Sequence, residues 1–238
     1  MNRSFACLLT TVAMTACGSP EARTVDGEVQ DSSMVVATTS RVPSDDRPVV
    51  VFLGTSLTAG MGVDRDAEAY PSILAQIADS AGVGFHLVNA GVSGETSAGG
   101  LRRLDWALRD SLDVLVIELG ANDGLRGQAP DAMASNLTEI IVRAQSRYPD
   151  VRILLASMEA PPNLGAAYTE TFRAVFPAVA GAHDRVTLLP FILDGVAGVP
   201  ELNQADRIHP NPTGHTRTAR NVWPYLREAL EAEYEEGA

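Results

Sequence analysis

Apolar residues fall in short runs separated by longer amphipathic stretches. β-Branched or aliphatic runs occur at 49–53 (VVVFL), 84–88 (GFHLV), 113–119 (DVLVIEL), 151–155 (VRILL) and 185–189 (RVTLL). Between them, 68–81, 97–111, 130–147 and 166–181 repeat apolar positions at helical spacing, and a last such stretch runs from about 212 to 233. Continuously apolar strands that alternate with helices predict a parallel sheet covered on both faces. Five strand–helix units make one three-layer α/β/α sandwich around a five-stranded parallel sheet. No internal repeat is present.

In an open parallel sheet the ligand crevice lies at the carboxyl ends of the strands. Those positions carry Gly54-Thr55-Ser56-Leu57, Asn89-Ala90-Gly91-Val92-Ser93-Gly94 and Gly120-Ala121-Asn122-Asp123-Gly124. A connection of about 20 residues follows the fifth run and ends in Asp206-Arg207-Ile208-His209-Pro210. A loop that long inside a compact domain is usually functional.

These loops hold what acyl transfer requires: a nucleophile, a base, an acid that orients the base, and donors for an oxyanion. Ser56 stands where a strand gives way to a turn. Asp206 and His209 are three residues apart in a tight turn, so the carboxylate can reach the imidazole and fix its tautomer. Of the other histidines, His86 is expected in the packed core and His183 in solvent. His215, on the last helix, is the rival base. The N–H groups of Ser56 and Gly91 and the amide of Asn122 form a three-donor oxyanion hole in this reading, each donor being worth roughly 10²–10³ in rate.

Composition narrows the alternatives. Apolar residues make up 45% and charged residues 20% of 238, an ordinary globular balance, and the net charge is −12. An acidic chain without a basic stripe is a poor nucleic-acid binder. All 18 basic residues are Arg. A Walker A loop, a Schiff-base enzyme and a Ser-x-x-Lys hydrolase, each of which needs Lys, are therefore excluded. The α/β-hydrolase motif Gly-x-Ser-x-Gly fails as well: Thr58 follows Leu57 after Ser56, and Glu95 stands where Ser93 would need a Gly.

The quoted blocks resemble the GDSL, or SGNH, hydrolases, named for Ser, Gly, Asn and His in four blocks. Here these are Ser56 in GTSLTAG, Gly91 in NAGVSGET, Asn122 in GAND and His209 in DRIHP, over about residues 48–230. VIELGANDGLRG, the PPNLG segment with Tyr168 and Phe172 after it, and LLPFILDGVAG resemble the bacterial thioesterase, lysophospholipase and arylesterase branch. The resemblance implies a flavodoxin-like fold, no metal or organic cofactor, and hydrolysis of small acyl esters or thioesters, with Leu57, Met158, Pro162 and Ile208 lining the substrate pocket. Related families deacetylate carbohydrates. A non-catalytic lipid- or glycan-binding lipoprotein would require a broken residue set. Two positions depart from the family. Thr55 replaces an Asp, and its expected task is to accept backbone N–H groups in the Ser56 turn. Glu159 replaces a basic or polar residue beside the acyl pocket.

The chain opens Met-Asn-Arg and continues FACLLTTVAMTA, which reads as a secretory signal too short to span a membrane. Met14-Thr15-Ala16-Cys17 resembles a lipobox, so residues 1–17 are expected to be a leader ending at a lipidated Cys17. Residues 18–47 are expected to be a flexible tether, with the esterase domain at 48–238. By the same resemblance Gly18 implies anchoring in the outer membrane facing the periplasm, the lipid being the only membrane contact. An unlipidated form would be soluble and exported. No disulfide is expected in the mature domain.

Overall fold

The computed structural model describes residues 46–236. The expected leader, Cys17 and the tether up to residue 45 lie outside them. Five parallel strands form one sheet: β1 Val49–Gly54, β2 His86–Gly91, β3 Val114–Glu118, β4 Arg152–Ser157 and β5 Val186–Phe191. Their spatial order is β2-β1-β3-β4-β5. This is the doubly wound α/β fold that the alternating pattern predicts. The strand order reverses at β1, so the connections leaving β1 and β3 diverge there and open a crevice at their carboxyl ends.

Eight α-helices and two short 3₁₀ turns accompany the sheet in the described chain, the α-helices being α1 Ser56–Ala59, α2 Tyr70–Ala81, α3 Ser97–Arg102, α4 Leu104–Ala107, α5 Ala121–Leu125, α6 Pro130–Arg147, α7 Ala166–Gly181 and α8 Pro212–Glu236. Helix α2 packs on α8, and α6 packs on both α3 and α7. Helix α6 shows how the sequence dictates this layering. Pro130 and Asp131 suit its first turn, and Met133, Leu137, Ile140, Ile141 and Ala144 recur at helical spacing and are all buried. Each Leu or Ile so buried is worth about 1.5–3 kcal/mol. Helix α2 buries Tyr70, Leu74 and Ala78 in the same way and ends on Gly82 with φ 76°.

The expected 97–111 helix is divided. Arg103 leaves helical geometry, with φ −104° and ψ 8°. Its guanidinium is held by the Glu95 carboxylate at 2.6 Å and donates to the Gly54 carbonyl at 3.2 Å. The second strand also lies further along the chain than its apolar run suggests. It occupies an edge and is only partly buried, so continuous hydrophobicity does not mark its end. His86, expected in the core, is half-buried on this strand. His183 is not freely solvated either: its Nε2 is buried and has no hydrogen-bond partner among the described residues.

Register sets the site. Gly54 lies level with Gly91 on one side and with Glu118 on the other. The three strand ends therefore form one row, and the loops that follow share one rim.

Candidate active site

Ser56 is the first residue of α1, directly after β1. Its Oγ lies 2.8 Å from His209 Nε2. His209 Nδ1 lies 2.7 Å from Asp206 Oδ2. The turn that makes this possible is built by the acid itself. Asp206 Oδ1 accepts the N–H groups of Ile208 at 2.9 Å and His209 at 3.0 Å, an Asx turn that brings the other oxygen to the ring. The bond from His209, helped by the two backbone donors, holds the Asp206 carboxyl down at about 2. It therefore stays ionised throughout the neutral range, as an orienting acid must. Arg207, within this turn, takes a left-handed φ of 60°.

The rival base is elsewhere. His215 is 1% exposed, and its Nδ1 accepts the Tyr70 N–H at 3.2 Å. Burial lowers its pKa to about 4, with His209 adding to the effect and Glu68 opposing it.

At Gly91 the geometry differs from that expected of an oxyanion donor. The Gly91 N–H is taken by Asn89 Oδ1 at 3.0 Å. A side chain at Gly91 would place its Cβ 2.2 Å from the backbone N of Ala59, so this glycine lets β2 approach α1. Gly91 is also absent from the crevice lining, whereas Gly94 lines it together with Ser56 and Asn122. Gly94 is the third residue of a turn closed by Glu95 N–H to Val92 O at 3.3 Å, and its φ is 78°. That conformation suits glycine at the third position of a type II turn. Arg126 donates to the Gly94 carbonyl at 2.8 Å, and Asn122 Nδ2 donates to the Glu95 carbonyl at 2.9 Å. Asn122 is fixed in turn by its neighbour: Asp123 accepts the N–H of Ser97 at 2.8 Å and its hydroxyl at 2.6 Å, locking α5 to α3.

The crevice encloses about 420 Å³. Leu57, Met158 and Ile208 line it, together with Met61, Leu125 and Leu193. Ile208, Leu125 and Met61 are 55%, 50% and 46% exposed, an apolar rim on an acidic molecule. Pro162 is exposed in a short 3₁₀ turn and is not in the lining. Nor is Glu159, whose carboxylate makes a two-bond pair with Arg173 at 3.2 and 2.9 Å, so that departure bears on the surface.

Two further residues escaped the sequence reading. Glu118 ends the fully buried β3 and is itself 1% exposed. Thr55, expected to accept backbone N–H groups, instead donates its hydroxyl to Glu118 Oε1 at 2.9 Å and gives its N–H to Oε2 at 2.8 Å. The acceptor for this turn thus comes from β3, and the signal for it was a carboxylate closing an otherwise apolar strand. The second is Gln204, on the loop that carries His209, whose amide reaches the Met61 carbonyl behind Ser56. Among the described residues no group of three or more His, Cys, Asp or Glu side chains could hold a metal ion.

The GDSL-like lipase/acylhydrolase family matches residues 52–217. Esterase TesA of Pseudomonas aeruginosa is 41% identical over 182 residues, covering 76% of this chain and 89% of the relative. Thioesterase 1/protease 1/lysophospholipase L1 of Escherichia coli K12 is 39% identical over 165 residues, 68% of this chain and 75% of its own. Among solved structures, the psychrotrophic esterase EstA of a Pseudoalteromonas species, inhibited by monoethylphosphonate, superposes with a TM-score of 0.71 at 32% identity, covering 77% of this chain and 98% of that one.

Proposed function

The chain belongs to the GDSL-like lipase/acylhydrolase family and is a carboxylic ester hydrolase, and from that premise we propose that it works through a Ser56–His209–Asp206 triad on acyl esters and thioesters. The 2.8 Å contact between Ser56 Oγ and His209 Nε2, inside an apolar crevice, carries this reading. Neutral His209 takes the Ser56 proton as Oγ attacks the acyl carbonyl. Asp206 fixes the tautomer with the free lone pair on Nε2 and stabilises the imidazolium that forms. The oxyanion is received by the N–H groups of Ser56 and Gly94 and by the Asn122 amide. His209 then gives its proton to the departing alcohol or thiol. It next takes a proton from water as the water attacks the acyl carbonyl, and returns that proton to Ser56 Oγ as the acyl–Oγ bond breaks and the carboxylic acid departs.

The apolar lining supports acyl chains beyond acetyl, and so aryl esters, acyl thioesters or lysophospholipids rather than acetylated sugars. The names of the relatives point the same way. The test is hydrolysis of nitrophenyl esters from two to twelve acyl carbons, with Ser56→Ala as control and a fluorophosphonate probe mapped by mass spectrometry. Labelling at Ser56 with loss of turnover in Ser56→Ala is the expected result. Label on another serine ends the proposal, and turnover confined to acetyl esters would return the deacetylase reading.

A further inference from the structure

Resting on Ser56 as nucleophile, we propose that Glu118 is a positioning residue for the reaction: its buried carboxylate fastens the backbone on both sides of Ser56 to the central strand and so sets where the Ser56 hydroxyl and N–H stand.

A charge in β3 calls for a reason. The strand is buried along its whole length, and an unpaired carboxylate there would cost several kcal/mol in lost hydration. An apolar side chain would fill the space without that cost. What Glu118 supplies is acceptor capacity. Its Oε2 accepts from the Thr55 N–H at 2.8 Å, the Thr58 N–H at 3.2 Å and the Thr58 hydroxyl at 2.8 Å. Its Oε1 accepts from the Thr55 hydroxyl at 2.9 Å. All four donors belong to the Ser56 turn, three on Oε2 and one on Oε1, so Glu118 fastens that turn from the floor of the crevice it also borders.

The first N–H groups of a helix have no intrahelical acceptor and are usually capped by the residue just before it. Thr55 occupies that place for α1 and makes no side-chain cap bond. The cap comes instead from 63 residues away, so the Ser56 turn is pinned to the sheet rather than to itself. The pinning extends outward. Because the Thr58 hydroxyl gives its proton to Glu118, it receives the Tyr70 hydroxyl, at 3.0 Å, from the buried start of α2. Space for the cluster exists because residue 54 is glycine. A Cβ there would stand 2.0 Å from Thr58 Oγ1 and 2.7 Å from Glu118 Oε2. A misplacement of about 1 Å at a reacting group can cost roughly 10²-fold in rate, and Ser56 lies between the two anchored N–H groups.

The experiment compares Glu118→Gln and Glu118→Leu with the native chain on one nitrophenyl ester, with active sites counted by a fluorophosphonate burst. Gln keeps an oxygen for the two N–H groups, and its NH₂ faces the Thr55 hydroxyl, which can turn to accept. Its kcat should stay within about tenfold. Leu removes every acceptor, and kcat per counted site should fall by about 10²-fold or more while KM stays within about threefold. A Leu variant with native kcat per site overturns the proposal even if its Tm drops, since Glu118 would then serve stability alone. Equal losses in both variants also overturn it, because charge and not acceptance would be at work. If the Leu variant does not fold, Thr58→Val removes one donor without changing shape. Its kcat should fall several-fold at constant KM, and no change overturns the proposal. Ser56→Ala in the same assay separates the two levels: turnover surviving there removes the nucleophile itself, whereas a dead Ser56→Ala beside a fully active Leu variant removes only Glu118.

Discussion

The side-chain amide of Gln204 donates to the carbonyl of Met61 at 2.7 Å and to that of Pro210 at 2.9 Å. One residue thereby joins the loop behind Ser56 to the loop that carries His209. Its backbone adds to the staple, the Gln204 N–H donating to the His209 carbonyl at 2.8 Å. Gln204→Ala keeps the backbone bond and deletes both amide bonds. Free to drift, the imidazole would reach the Ser56 hydroxyl less often. We expect kcat to fall by about 10–100-fold with KM little changed, since a small displacement of a catalytic group costs on this scale. Steady-state kinetics on an aryl ester will show it, and a native kcat would mean that the Asx turn alone places His209.

Arg207 gives a second handle on the same turn. Its φ of 60° is left-handed, a conformation that costs an L-residue roughly 1–2 kcal/mol and that glycine adopts freely. β-Branched side chains tolerate it least. Arg207→Gly should therefore keep turnover near native. Arg207→Val should lower kcat by about tenfold or more by forcing the turn between Asp206 and His209 to rearrange. The two variants need only be compared on one substrate, and equal activities would show that the turn can move without consequence.

His215 should make stability depend on pH. Its folded pKa of about 4 lies below its usual 6.5, so the unfolded chain binds the proton more readily. The stability this residue contributes is complete above pH 6.5 and is lost as the pH falls towards 4. Replacing it by Asn offers the Tyr70 N–H an acceptor that does not titrate. The thermal midpoint of His215→Asn should fall less between these two pH values than that of the native chain, by about 2–4 °C for each kcal/mol of difference. Parallel curves would place the acid sensitivity in other groups.

How far the sequence could be read depends on where each signal resides. β1, β3 and β4 sit in the middle of the sheet, covered on both faces, and their continuous apolar runs mark them within a residue or two. β2, at the edge, buries little, and its end is decided by pairing of Gly91 with Gly54, which no local pattern encodes. Asp206 and His209 are three apart and joined by a local turn, so their spacing was legible. Thr55 was legible as a support of the Ser56 turn, but its bonds run the other way, because the carboxylate it meets lies on another strand. The crevice rim was half legible. Leu57 and Ile208 flank motif residues, while Met61, Leu125 at the end of α5, and Leu193 reach it from three separate stretches that only the fold assembles.

The choice between Gly91 and Gly94 is the clearest case of a motif that could not resolve its own chemistry, and it can be tested by two alanines. At Gly91 an added Cβ would lie 2.2 Å from the Ala59 N and 2.7 Å from its Cα. Backbone atoms cannot move aside cheaply, so Gly91→Ala should separate β2 from α1 and lower the thermal midpoint sharply or prevent folding. At Gly94 the nearest atom to an added Cβ is Arg126 Nη2, at 3.8 Å, so there is room. The cost there is conformational, about 1–2 kcal/mol for an L-residue at φ 78°, and the turn can relieve it by rotating its peptides. Such a rotation turns the Gly94 N–H away from the oxyanion. Gly94→Ala should therefore remain folded and lose about 10²-fold in kcat, the scale of one lost oxyanion donor. Asn122→Ala should lose a similar factor. Thermal melts and steady-state kinetics on the three variants decide the matter: a stable, slow Gly91→Ala beside a fully active Gly94→Ala would return the donor role to Gly91.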